Sequence, residues 1–195
     1  MPCVICWPIW KTTEPGFRGN SMKNVVLIGF MGTGKSSCGR AIAQQLGYRL
    51  VDLDKEIETK YKMPIPTMFK VHGEDWFRQK EKEMVAYWAH QKNVVISTGG
   101  GTVKNPENTA CLRKNGKIIC LQADIDTLVE RTSRQGRRPV LDARAAQLGG
   151  NRRAAIASLL EERQEMYKNA DLYVDTGRLS PLQVAARVSE FIRKS

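Results

Sequence analysis

The sequence predicts an α/β fold with an open sheet that binds ligands at the carboxyl ends of its strands, and three observations predict it. Five short apolar runs alternate with segments of helical periodicity. The first run, Val25 to Ile28, empties into Gly29-Phe30-Met31-Gly32-Thr33-Gly34-Lys35-Ser36, which satisfies the G-x-x-x-x-G-K-S phosphate-loop pattern in full. Helix-forming sequence follows at once, with Cys38, Ile42 and Leu46 spaced as an inward stripe.

The phosphate loop needs these residue types in this order. Gly29, Gly32 and Gly34 permit backbone conformations that bring successive N–H groups onto phosphate oxygens. The helix N-terminus behind them adds partial positive charge. Lys35 is placed to reach the β- and γ-phosphates, and the Ser36 hydroxyl to ligate Mg²⁺. The stretch therefore predicts binding of a nucleoside triphosphate.

Bulk properties narrow the partners. A chain of 195 residues suits one domain with a proper core. No apolar run is long enough to span a bilayer, so a soluble protein is expected. Five cysteines are scattered without a disulfide framework, as in a reducing cytosol. The net charge of +11 is not spread as aromatics interleaved with basic residues, so nucleic acid is not the expected partner. It concentrates in Arg131, Arg134, Arg137, Arg138, Arg144, Arg152 and Arg153, opposed only by Asp142, which suits small anions such as ATP and a carboxylate.

Residues 1–21 read as a disordered leader, with scattered Pro and Gly and a Cys3-x-x-Cys6 pair that has no second pair nearby; Met22 would be a natural start. After the first helix, Tyr48 to Asp54 reads as a second strand whose alternation puts Asp52 and Asp54 on one face. The two acids are either turn and N-cap residues, or Asp52 serves hydrated Mg²⁺ and Asp54 takes a proton from an attacking hydroxyl. Residues 55–73 read as short and irregular because Pro64 and Pro66 limit helix length.

Glu74 to Gln91 reads as one long helix with Phe77, Met84, Val85 and Trp88 inward. Glu81 occupies that apolar face, three residues from Arg78, so the pair is either a surface salt bridge or an inward carboxylate aiming an arginine into a cleft. Val94 to Thr98 is a third strand, ending in Gly99-Gly100-Gly101, where backbone can approach a ligand closely; no Asp closes it. Asn105 to Lys114 reads as helix, Lys117 to Leu121 as a fourth strand and Ala123 to Arg134 as helix. The connection beyond carries Arg137 and Arg138 between Gly136 and Pro139, as either a solvated basic loop or an arginine-bearing cover over the triphosphate. Asn151 to Asn169 is helical, with Arg163 on the same side as Ile156, Leu160 and Tyr167, either snorkelling outward or pointing into a site. Leu172 to Val174 is a fifth strand, and the last helix is expected to bury Leu182, Ala185, Val188 and Ile192.

The separated motifs GFMGTGKSS, DLD at 52–54, GEDWFR at 73–78, STGGG at 97–101, RRPVL at 137–141 and LEERQEMY at 160–167 together resemble the shikimate kinase family over nearly all of residues 22–195. The resemblance implies ATP-dependent phosphorylation of the 3-hydroxyl of shikimate, with Mg²⁺, by a cytoplasmic monomer with neither nucleic-acid nor membrane partners. It implies a five-stranded parallel sheet with helices on both faces, of nucleoside monophosphate kinase type, in one kinase domain spanning 22–195. Residues 55–91 would form the substrate-binding region and 131–150 the lid. Gly32, Thr33, Gly34, Lys35, Ser36, Ser37, Arg131, Arg138 and Arg178 would hold ATP, with Ser36 and Asp52 serving the metal. Asp54 would contact the reacting hydroxyl, and Lys35, Asp54 and Arg138 would be catalytic. Arg78 and Arg163 would clamp the shikimate carboxylate, Glu81 would orient Arg78, Phe69 and Phe77 would pack on the ring, and Gly99, Gly100 and Gly101 would line the pocket.

Overall fold

The computed structural model describes residues 23–134 and 138–195. The expected leader at 1–21 and its Cys3 and Cys6 lie outside the described residues, as do Gln135, Gly136 and Arg137 of the basic connection. Strands β1 (Asn24–Gly29), β2 (Arg49–Asp52), β3 (Val94–Ser97), β4 (Gly116–Gln122) and β5 (Leu172–Asp175) form one sheet in the order β2-β3-β1-β4-β5. Every pairing is parallel. The chain returns to both sides of β1, so the crevice at its carboxyl end is where such a sheet accepts a ligand.

Alternation along β1 divides the core. Val25 and Leu27 pack with α1 (Lys35–Leu46) and α8 (Pro181–Arg193) through Ile42, Val184, Val188 and Ile192. Val26 and Ile28 face the other way, toward Phe77, Met84 and Trp88 of α3 (Ile65–Ala89) and Leu112 of α4 (Pro106–Asn115). Both faces of the sheet are therefore covered, which explains why the strands read as continuous apolar runs. A third cluster joins Phe30 to Leu128 of α5 (Ile125–Arg134), Leu141 of α6 (Pro139–Gln147) and Ile156 and Leu159 of α7 (Arg152–Tyr167). It roots the segment that carries Arg138 directly onto the phosphate loop.

Three expectations change. The second strand stops at Asp52, whose side chain accepts from the Lys55 N–H and caps α2 (Leu53–Tyr61), so Asp54 lies in the first helical turn and not on a strand face. Residues 55–73 are mostly helical. Pro64 stands at the N-cap of α3 and Pro66 in its first turn, where a missing N–H removes no helical bond, so the two prolines start a helix instead of limiting one. The break comes later, at Gly73, with φ 85° and ψ 170°, a conformation that favours glycine. Finally, Leu182 is 72% exposed, because Val184 takes the inward position at the start of α8.

Candidate active site

The phosphate loop is shaped from within. A Cβ on Gly29 would collide with the Leu121 carbonyl, and Gly32 and Gly34 both sit at φ 84°. Thr33 is buried, and its hydroxyl donates to the Phe30 carbonyl at 2.7 Å. Its own carbonyl accepts from Thr176 Oγ1 at 2.9 Å, so Thr33 supports the loop's shape. The N-terminus of α1 has no side-chain cap and no acidic residue in its first turn. Its first N–H groups, with the exposed Ser36 and Ser37, are thus open to an anion.

Lys35 folds back over this loop and donates to the carbonyls of Gly29 at 2.7 Å and Phe30 at 3.1 Å. Its pKa is lowered to about 8, first by burial; the charges of Arg138 and Arg163 act the same way, against Asp54 and Asp52. Arg138 thus bears electrostatically on the phosphate loop, while its backbone N–H is anchored to Asp142 Oδ2 at 2.8 Å. A bound polyphosphate favours the charged lysine, so nucleotide binding above pH 8 must take up a proton. The KM for ATP is therefore expected to be flat below about pH 7.5 and to climb above pH 8, at most about tenfold per pH unit. A KM for ATP that stays level from pH 7 to 9.5 would show that Lys35 does not titrate there.

The acceptor side is organised by the three glycines that follow β3. A Cβ on Gly99 would overlap Asp54 Oδ1, one on Gly100 would lie 3.3 Å from Arg163 Nη1, and one on Gly101 would lie 2.5 Å from Arg78 Nη1. Three ionic groups from three helices thus converge on successive residues of one backbone segment, and side chains there would displace them.

Arg78 is held at several atoms. Its Nη1 donates to Glu81 Oε2 at 2.8 Å, and its Nε and Nη2 donate to Glu74 Oε1 at 3.1 and 3.0 Å. Glu81 is only 2% exposed, which settles its alternatives in favour of the inward carboxylate. Phe69 and Phe77 pack with ring centroids 4.7 Å apart and planes tilted by 33°, and the Arg78 guanidinium lies 5.8 and 5.3 Å from their centres. Arg163 does not snorkel. It is 5% exposed, its Cζ lies 5.5 Å from the centre of the Phe30 ring, and among the described residues its Nη1 has no hydrogen-bond partner. A buried guanidinium nitrogen beside Gly100 is a place for an anionic ligand.

The Asp54 carboxyl is pushed up to about 6, first by burial and then by the negative charges of Asp52 and Glu81, with Lys35 pulling the other way. Such a group is ionised at neutral pH yet basic enough to accept a proton. Asp52 lies within electrostatic reach of both Asp54 and Lys35. Among the described residues no cluster of three or more His, Cys, Asp or Glu side chains forms a metal cage. One carboxylate and one hydroxyl beside a phosphate site fit a cation that keeps most of its water, as Mg²⁺ does.

On the nucleotide side, Arg131 donates through Nη2 to the Thr176 carbonyl at 2.7 Å and through Nη1 to Thr176 Oγ1 at 3.1 Å, with Gly32 O at 3.4 Å. Arg178 is not brought in; its side chain is 91% exposed and lies 3.9 Å from Asp175. Sequence reasoning also missed two residues. Glu74 was legible as an i, i+4 acid before Arg78. Thr102, whose hydroxyl donates to Glu81 Oε1 at 2.7 Å, had no local signal because 21 residues separate the pair.

Comparison with known proteins agrees with this geometry. A family model described as shikimate kinase matches residues 31–193. A shikimate kinase of Caldicellulosiruptor saccharolyticus is 41% identical over 167 residues, covering 86% of this chain and 94% of that protein. A shikimate kinase from Acinetobacter baumannii, solved in complex with shikimate, superposes with a TM-score of 0.79 at 28% identity, covering 89% of this chain and 94% of that one. The shikimate kinase structure from Bacteroides thetaiotaomicron gives 0.79 at 30% identity, covering 88% and 99%. Since the matched stretch runs from Met31 in the phosphate loop through the groups gathered on Gly99–Gly101, the chain belongs to the shikimate kinase family.

Proposed function

We propose that this protein transfers the γ-phosphate of ATP to the 3-hydroxyl of shikimate, giving shikimate 3-phosphate and ADP. The carrying observation is the convergence of Asp54, Arg163 and Arg78 on Gly99, Gly100 and Gly101, with Asp54 in electrostatic reach of Lys35. Arg78 and Arg163 bind the acid's carboxylate, a planar task that suits guanidinium. Asp54 then faces the far side of the same small ring and accepts the hydroxyl proton as that oxygen bonds to the γ-phosphorus. As the bond from that phosphorus to the β-phosphate oxygen breaks, Lys35 and Arg138 neutralise the charge that collects there. Ser36 and Asp52 would hold Mg²⁺, which supplies charge neutralisation across the phosphates when bound.

In this reading residues 22–195 work as one kinase domain. The region 55–91 binds the acceptor, 131–150 acts as the lid, and Arg131 lies against the adenine. The protein acts as a cytoplasmic monomer, without nucleic-acid or membrane partners. Among the described residues no helix is long and apolar enough to cross a membrane.

An ADP-release assay offering shikimate, gluconate, AMP and CMP separately tests the reading. Turnover is expected with shikimate alone, and a faster rate with any of the others overturns it. Arg78→Ala is expected to raise the KM for shikimate at least about tenfold and the KM for ATP less than about twofold. An equal rise in both would count against the carboxylate clamp.

A further inference from the structure

The Arg78–Glu81 pair does not stand alone. Glu81 is buried with one donor on each oxygen, Arg78 Nη1 on Oε2 and the Thr102 hydroxyl on Oε1. Thr102 is fully buried in the single 3₁₀ turn Thr102–Lys104, immediately after the glycine run. Its backbone carbonyl accepts from Asn108 Nδ2 at 3.0 Å, which fastens that turn to α4. The contacts close into a ring, because Arg78 lies against Gly101 and Gly101 is covalently bonded to Thr102. The guanidinium is thus fixed relative to the glycine backbone through two hydrogen bonds to one carboxylate, with neither bond open to solvent at the glutamate end.

We infer that Thr102 is a positioning residue for substrate recognition, its hydroxyl holding Glu81 so that Arg78 is locked at the distance from Gly101 that the acceptor's carboxylate requires. The inference rests on the shikimate reading above. Losing the hydroxyl leaves a buried carboxylate oxygen without a donor. Glu81 then turns to find another, and Arg78 turns with it. Neither Lys35 nor the phosphate loop belongs to the ring, so the nucleotide half is untouched.

The test compares Thr102→Val, which keeps the shape and removes the donor, with Thr102→Ser, which keeps the donor. The readouts are steady-state KM values for shikimate and ATP, and calorimetric binding of shikimate to the nucleotide-free protein. The valine variant is expected to raise the KM and Kd for shikimate about tenfold, as the loss of a hydrogen bond to a charged group implies. Its KM for ATP should stay within about twofold, and the serine variant should return to within about twofold of wild type in all three constants. Should the valine variant fail to fold, Thr102→Ala against Thr102→Ser isolates the same hydroxyl. The inference is overturned if the variant without the hydroxyl binds shikimate like wild type. It is equally overturned if both KM values rise together or if serine behaves like valine. Wild-type protein that does not phosphorylate shikimate at all would instead refute the underlying reading.

Discussion

Replacing Asp54 by Asn should lower kcat by about 10²- to 10³-fold while leaving the affinity for ATP within about twofold of wild type. The substitution preserves size and keeps a group beside Gly99, where Asp54 Oδ1 fits only because no Cβ is present. What it removes is the ability to accept a proton. The same residue sets the expected acid limb. Burial and the charges of Asp52 and Glu81 raise its pKa to about 6, so the carboxyl is ionised above that pH and neutral below it. Wild-type kcat/KM should therefore fall below pH 6, by about tenfold per pH unit, whereas an ordinary aspartate would hold its activity to about pH 4. The asparagine variant should show a low rate with no inflection near 6. A variant as fast as wild type, or one that keeps the inflection, would remove Asp54 from the role of base.

The parts of this site that could be read from the sequence are those whose physics is local. The phosphate loop is one contiguous stretch in which strand, glycines, lysine and helix follow in a forced order. Arg163 and Glu81 betrayed themselves as charges on apolar helical stripes, and their burial at 5% and 2% is the consequence. The glycine run was recognisable as a place of close approach, although which atoms approach it was not. Misreadings came where one residue serves two rules. Asp52 ends a strand and caps a helix, so alternation carried one turn too far and set Asp54 on the wrong element. Pro64 and Pro66 can stop a helix or start one, and the bond that the Ile65 N–H donates to Glu58 Oε1 shows how α3 begins. Leu182 sits in the first turn of α8, where periodicity alone does not say which side faces the protein.

Arg163 offers a prediction in which stability and function move in opposite directions. Its guanidinium is buried, and among the described residues Nη1 has no hydrogen-bond partner and the group no carboxylate in a salt bridge, so its burial costs free energy until an anion pairs with it. Arg163→Met keeps much of the side-chain length and its contact with the Phe30 ring while deleting the charge. The ligand-free variant is expected to be more stable by about 1 kcal/mol, a rise of a few degrees in Tm for a domain of this size. Its KM for shikimate should rise about 10²-fold or more, since a buried carboxylate–guanidinium contact is lost. Thermal unfolding with and without shikimate makes the trade visible. At about 100 times its Kd the ligand stabilises wild type by about 2.7 kcal/mol, more than the variant's head start, so the order of melting should reverse. The variant should gain almost nothing from the same concentration. If Arg163→Met melts below wild type without ligand, the arginine is contributing to the core through its own contacts with Phe30 and Tyr167. If shikimate stabilises both proteins equally, the carboxylate is held elsewhere. A group that destabilises its own fold until the substrate arrives is what a binding residue, as distinct from a structural one, should look like.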